Sequence, residues 1–488
     1  MGGWFFPHVK RSKRPGTALH HRHAGAFKSD DDTGPASLEN GATPALIRAI
    51  YGFPSDLSGE GETIAFMTLG AAPRAADLAA FWAAAGIERD MPEHVRVGPP
   101  TEADEENPLY RLEATMGPAW AGAMAPKAKL VLYEIGLEVP DPWLLAVEAA
   151  VADEKRRPTV LCMTWTSPEE FYYRQFNRSS ISLALAKAAA LGITVVCASG
   201  DWGAYDGRPS AVIRIGKNQY AKIARAPWPH ATFPSTEEHV LSVGGTMVSA
   251  LRPLTEVAWS GPLPPDPDLQ QELPFLSLAT SGGFSQRVPI PSFQRNALLG
   301  SGFSRVYPRG SNNPAVLPFG RGYPDVALMA AGRSVARAYP RGLSATGYRL
   351  VIDDQWIDYA GGTSVAAPIW ASVIANLNEA RRRESRERLG FFNPLLYYLA
   401  RTRPLSGPHA VIRQIDDGHS DIEFRVVNGE GQVNRHVLPG YQAGAGWDPA
   451  TGLGVPNVEG LVRALKSYPS SEPWIAAFDV ASEVVYSE

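Results

Sequence analysis

The chain predicts an α/β protein: one large domain on a doubly wound, mostly parallel sheet with helices on both faces. Two observations carry this. Short, almost wholly apolar strand-like runs alternate with helix-length segments from residue 63 to residue 199, and strands apolar on both faces need cover on both. The composition, 488 residues with 44% hydrophobic and 20% charged, supplies enough apolar surface for a large core. In order, the elements are strand TIAFMTL (63–69), helix DLAAFWAAAGI (77–87), strand KLVLYEI (129–135) and helix PWLLAVEAAVADEKR (142–156), then strand TVLCMTW (159–165), helix SISLALAKAAALG (180–192) and strand ITVVCAS (193–199). Such βαβ units place ligands beyond the carboxyl ends of the strands, at Trp165 and at the turn Ser199-Gly200-Asp201. From about 200 to 360 the chain is richer in Gly, Pro and aromatic residues, and reads as long surface loops shaping a groove. Trp356-Ile357-Asp358-Tyr359 then reads as extended, and Ile369 to Leu377 as a buried helix with a proline in its first turn.

Composition excludes several classes. A formal charge of −4 argues against a general nucleic-acid or anionic-membrane binder. No apolar run approaches the roughly 20 residues needed to span a bilayer. MGGWFFPHVKRSKRPG has too short an apolar stretch for a signal peptide, with its basic residues after rather than before it, so a cytoplasmic location is expected. Residues 1–41 have the composition of a flexible polar and basic tail; His20, His21 and His23 there lack a second ligand cluster. Residues 42–468 form the domain and 469–488 a C-terminal extension. Cys162 and Cys197 lie in apolar strand runs and read as buried free thiols, although neighbouring strands offer a way for them to meet.

The turn Gly361-Gly362-Thr363-Ser364 opens an apolar helix. A serine there is either a plain N-cap or a displayed nucleophile, because helix N-terminal N–H groups favour developing negative charge.

Four segments occur in order: Glu113 followed by AGAMAPKAKLVLY, TWTSPE (164–169), ASGDWG (198–203) and GGTSVAAP (361–368). Together with VLSVGGT (240–246), SGGFSQRVPIPSFQ (281–294), GYPDVA (322–327) and AGAGWDPATGLG (443–454), they resemble the sedolisins, or serine-carboxyl peptidases. The resemblance runs over about residues 42–467 and implies a subtilisin-like fold. It implies Ser364 as nucleophile, Glu113 as general base, and a protonated Asp201 as hydrogen-bond donor to the oxyanion, with Trp165, Thr164, Gly362 and Thr363 as supporting and substrate-binding positions.

Three positions depart from that pattern. Gly117 stands where the family places an aspartate one helical turn after the glutamate, and Pro118 follows it, so the helix is expected to start or kink at 117–118. Thr68 replaces a further glutamate that supports the aspartate through the tryptophan. Near the C-terminus the family binds calcium; Ile415, Gly444, Gly446 and Asp448 match, but Gln414 replaces a carboxylate, with Asp416 and Asp417 beside it. Calcium and a purely structural turn both stay open. Asp104, Glu105 and Glu106 are candidates for a replacement acid.

The resemblance therefore implies a serine-type peptidase acting on peptide or protein substrates, with no cofactor for its chemistry. The missing aspartate leaves two alternatives: a catalytically impaired peptide-binding homologue, or an acyl-transfer biosynthetic enzyme. Members of the family usually carry a large N-terminal pro-segment, and only about 41 residues precede the peptidase-like region here; either the maturation step is absent or a separate pro-segment or inhibitor protein is the expected partner.

Overall fold

The apolar runs become strands because the flanking helices bury both of their faces. The computed structural model describes residues 38, 40–98, 108–205, 213–216, 219–221, 229–263, 276–299, 320–337, 342–404, 406–407, 409–427 and 433–466. Its central sheet comprises β1 (Thr63–Leu69), β2 (Glu93–Val97), β3 (Lys129–Ile135), β4 (Val160–Met163), β5 (Thr194–Ala198), β6 (Leu241–Leu251), β7 (Leu254–Ala258) and β8 (Val326–Ala331). The spatial order is β7–β6–β5–β4–β1–β3–β2, with β8 also pairing with β6. All pairings are parallel except the hairpin β6–β7.

The helices that position the site are α1 (Pro44–Tyr51), α2 (Ala75–Ala84), α3 (Pro108–Met124), α4 (Pro142–Ala152), α5 (Glu169–Gln175), α6 (Arg178–Ala190), α7 (Ser292–Leu299) and α8 (Thr363–Arg383). Period-two alternation sorts the strand residues. Phe66, Cys162, Val196 and Ala198 face a core with Met116 and Trp120 of α3 and Val365 and Ile369 of α8. Met67, Met163 and Cys197 face the opposite core, with Trp143 of α4 and Leu185 of α6. Cys162 and Cys197 thus lie on neighbouring strands but on opposite faces, and both thiols are free and buried.

Several expectations are corrected. The 200–360 segment is not all loop: β6, β7 and β8 extend the sheet from within it. Its glycines and short runs hid them, since Gly244 and Gly245 are closely approached by Pro324, Thr280 and Trp259. The exposed edge strand β2 lacks an apolar run and went unread. Pro118 does not begin a helix; α3 runs on through it. Residues 114–124 are all buried, and tertiary packing of this kind outweighs local propensity. Pro368 likewise lies beyond the first turn of α8, which begins at Thr363.

Three buried charges brace the frame. Glu379 of α8 accepts the amides of Ser58, Gly59 and Glu60 at 2.7, 2.7 and 3.2 Å, fixing the loop that enters β1. Arg321 and Asp325, both fully buried, pair at 2.7 Å; Asp325 also accepts from Ser242 N at 2.8 Å and Tyr397 OH at 2.9 Å. Among the described residues no helix is long and apolar enough to cross a membrane. Residues 1–37, which hold most of the expected N-terminal tail and its histidines, and the expected extension 469–488 lie outside the described residues.

Candidate active site

The loops after β4 and β5, the helix α3 and the start of α8 converge at the carboxyl edge of the sheet. The extended strand Gln355–Ala360 feeds the turn Gly361-Gly362. Gly362 has φ 80° and caps α8, a left-handed conformation that glycine adopts without cost; a β-carbon there would also collide with the Asp201 carboxylate. Because Gly362 is the cap, Ser364 lies inside the first turn and no side chain caps the helix. Ser364 and Thr164 instead bear on the Glu113 carboxyl, both favouring its ionised form. Ser364 is 8% exposed.

Glu113 projects from α3. Burial pushes its carboxyl up to about 8, and the nearby charge of Asp201 adds to the rise; the Ser364 and Thr164 hydroxyls act the other way. Asp201 follows β5 in the turn Ser199-Gly200-Asp201. Its Oδ1 accepts the Thr363 amide at 2.9 Å and the Thr363 hydroxyl at 2.8 Å. The Thr363 hydroxyl in turn accepts the Gly200 amide at 3.1 Å. Burial raises the Asp201 carboxyl above its ordinary range, opposed by those two Thr363 donors. With Oδ1 occupied by two donors, Oδ2 is the oxygen free to carry a proton.

Trp165 is buried after β4. Its carbonyl accepts Trp143 Nε1 at 2.8 Å, and its ring lies 5.2 Å from that of Tyr110 on α3. Tyr110 went unread in the sequence; its place one turn before Glu113 was the available signal.

The departures have structural counterparts. A β-carbon on Gly117 would stand 3.1 Å and 3.3 Å from the Phe66 ring and 3.5 Å from Pro368 Cγ. The ring of Phe66 therefore fills the face on which an aspartate at 117 would point. Phe66 also went unread, although it lies two residues before Thr68 and hence on the same strand face. Thr68 is buried, and its hydroxyl has no hydrogen-bond partner among the described residues.

At the expected calcium turn, Asp448 is buried and clamps its own loop. Oδ1 accepts the amides of Ala450 and Thr451 at 2.8 Å each, and Oδ2 accepts the Thr451 hydroxyl at 2.8 Å and the Gly444 amide at 3.3 Å. Ile415 is buried in the core. Among the described residues no three His, Cys, Asp or Glu side chains gather as a metal-ion group. The Asp448 carboxylate is thus occupied by N–H and O–H donors, whereas calcium takes a set of oxygen ligands. Asp104, Glu105 and Glu106 lie outside the described residues.

Residues 109–393 match the Subtilase family (Peptidase S8). Kumamolisin from Bacillus sp. (strain MN-32) is 31% identical over 457 residues, covering 93% of this chain and 68% of kumamolisin. Tripeptidyl-peptidase 1 from Homo sapiens is 28% identical over 323 residues, covering 66% of this chain and 45% of that protein. The chain thus spans about two thirds of the first relative's length and less than half of the second's. Among solved structures, Pseudomonas sedolisin (serine-carboxyl proteinase), complexed with two molecules of pseudo-iodotyrostatin, superposes with a TM-score of 0.62 at 20% identity, covering 88% of this chain and 99% of that one.

Proposed function

Because this chain belongs to the sedolisin family of serine-type peptidases with a subtilisin-like fold, we propose that it cleaves peptide bonds through Ser364, with Glu113 as general base and Asp201 as oxyanion donor. The observation that carries this reading is the placement of Ser364 in the first turn of α8, next to Thr363, whose amide and hydroxyl hold the Asp201 carboxyl at 2.9 and 2.8 Å, with Glu113 of α3 interacting with both Ser364 and Asp201. Ser364 Oγ attacks the substrate carbonyl carbon while its proton passes to Glu113. The carbonyl oxygen takes up negative charge beside Asp201 Oδ2–H, which donates to it. Glu113 then returns the proton to the departing amine, and water releases the acyl group by the same steps in reverse order.

The competent state holds one proton between the two carboxyls, on Asp201 rather than Glu113. The influence of Ser364 and Thr164 on Glu113 favours that arrangement; the Thr363 donors to Asp201 oppose it. Sedolisin-family chemistry needs no cofactor. We assign the groove a peptide or protein segment as substrate, and the Asp448 turn a structural role without calcium.

A second reading, a peptide-binding homologue without turnover, is favoured by the rise of Glu113 to about 8, since a protonated base accepts nothing. Intact-mass detection of a fluorophosphonate adduct separates the two. An adduct on the wild type that is lost in Ser364→Ala and in Glu113→Gln supports catalysis. No adduct between pH 3 and pH 9, together with retained peptide binding, overturns it.

A further inference from the structure

The backbone reaches Ser364 along a hairpin of strands Tyr348–Ile352 and Gln355–Ala360, the second of which runs directly into Gly361-Gly362. We propose that Asp77 is a positioning residue for Ser364: it fixes the turn of this hairpin, and Arg111 ties the same turn to the helix that carries Glu113. This inference rests on the proposed roles of Ser364 and Glu113.

The register pairs Ile352 with Gln355, so Asp353 and Asp354 are the whole loop. Both have positive φ, 51° and 61°, as in the type I′ turn that Asp-Gly or Asn-Gly adopts most readily. A non-glycine residue is disfavoured there, and it persists where its surroundings impose it. Asp77 imposes it. Its carboxylate, in the first turn of α2, is fully buried. Oδ2 accepts the Asp353 amide at 3.0 Å and Oδ1 the Asp354 amide at 2.9 Å. Arg74, just before α2, donates to the Asp354 carboxylate at 2.8 Å.

The same turn is held from α3. Arg111, two residues before Glu113, donates from Nη1 to Asp353 Oδ1 at 2.5 Å. Further along α3, the buried Trp120 donates from Nε1 to the Arg349 carbonyl at 3.1 Å, and its ring meets that of Tyr348 edge-on at 4.6 Å. At its other end the hairpin enters the catalytic turn, where the Gly362 amide donates to the Ala330 carbonyl at 2.9 Å. The hairpin is thus clamped to the base-bearing helix at its tip and along its first strand, and it delivers the nucleophile from its second. A slip at the tip is passed along the paired strands to Ser364, while Glu113 stays with α3. Misplacing reacting groups by about 1 Å costs on the order of 100-fold in rate.

The test is the saturation kinetics of fluorophosphonate labelling of the full chain, read by intact mass, with circular dichroism showing that each variant is folded at the assay temperature. Asp77→Ala is expected to lower the limiting rate about 10- to 100-fold. The half-saturating probe concentration should stay unchanged, a split that a loss of stability alone does not give. Adding Asp354→Gly, which lets the turn form unaided, should recover most of the rate, and Asp354→Gly alone should match the wild type. Asp77→Asn, which keeps one acceptor, should fall between Asp77→Ala and wild type, and it serves in place of Asp77→Ala where that variant does not fold. A folded Asp77 variant that labels at the wild-type rate overturns the inference and leaves the peptidase reading intact. A slow variant that Asp354→Gly does not restore also overturns it, since the loss then lies in α2 and not in the turn. A wild type that never labels overturns the peptidase reading, and the placement is then decided by amide hydrogen exchange. Asp77→Ala should speed exchange at residues 361–366 as well as at Asp353 and Asp354; protection of 361–366 equal to that of the wild type refutes it.

Discussion

The ring of Phe66 lies against Gly117 so closely that a β-carbon there would stand 3.1 Å from Cδ1. The two residues are complementary: the helix gives up its side chain and the strand supplies bulk. The lost aspartate has therefore left a filled apolar contact, and restoring the acid alone adds volume to a packed core.

Gly117→Asp should destabilise the fold by about 3 kcal/mol or more, from overpacking and from a carboxylate taken out of water. In the background of Phe66→Ala the same substitution should cost about 1–3 kcal/mol less. Urea unfolding of the four proteins of this cycle measures it; equal costs in both backgrounds refute the complementarity.

The Glu113 carboxyl is raised from 4.5 to about 8 in the folded protein. Between those values the native state binds more protons than the unfolded chain, so this group's contribution to stability falls as pH rises through the window. Glu113→Gln removes that loss. Its melting temperature relative to wild type should climb from pH 4.5 towards pH 8, and a constant difference would show that Glu113 is not perturbed.

Asp201→Asn keeps a hydrogen-bond donor at the oxyanion position but carries no proton to lose and no charge to raise Glu113. Fluorophosphonate labelling of this variant should reach a plateau at high pH, where the wild type declines once the shared proton is gone. A matching alkaline decline in both proteins would place that ionisation elsewhere.

Removing one partner of the buried Arg321–Asp325 pair leaves an uncompensated charge. Asp325→Ala should cost about 3–5 kcal/mol, and it also strips acceptors from Ser242 N and Tyr397 OH. Chemical denaturation reads this directly; a loss below about 1 kcal/mol would mean that the charge finds water.

At the Asp448 turn, a chelator and added calcium should each leave the melting temperature unchanged, whereas Asp448→Ala should lose at least about 2 kcal/mol by orphaning buried donors. A rise in melting temperature on adding calcium would restore the metal reading.

The sequence by itself determined the α/β layering, because strands apolar at every position demand cover on both faces. The order of Glu113, Thr164, Asp201 and Ser364 was legible through the family resemblance, with Thr164 and Asp201 at the ends of strand runs and Ser364 opening an apolar helix. Tertiary structure decided the rest. β6 carries the closely approached Gly244 and Gly245 and β8 spans only 6 residues, and only their partners make them strands. Pro118 reads as a break, yet α3 passes through it because burial along the whole segment outweighs one missing hydrogen bond. Whether Ser364 caps its helix or meets a base depends on Gly362 taking the cap and on Glu113 arriving from α3, a contact of residues far apart in the chain. Phe66 acquires meaning for the same reason: helix packing on the strand brings its ring to Gly117, which no local pattern connects to it.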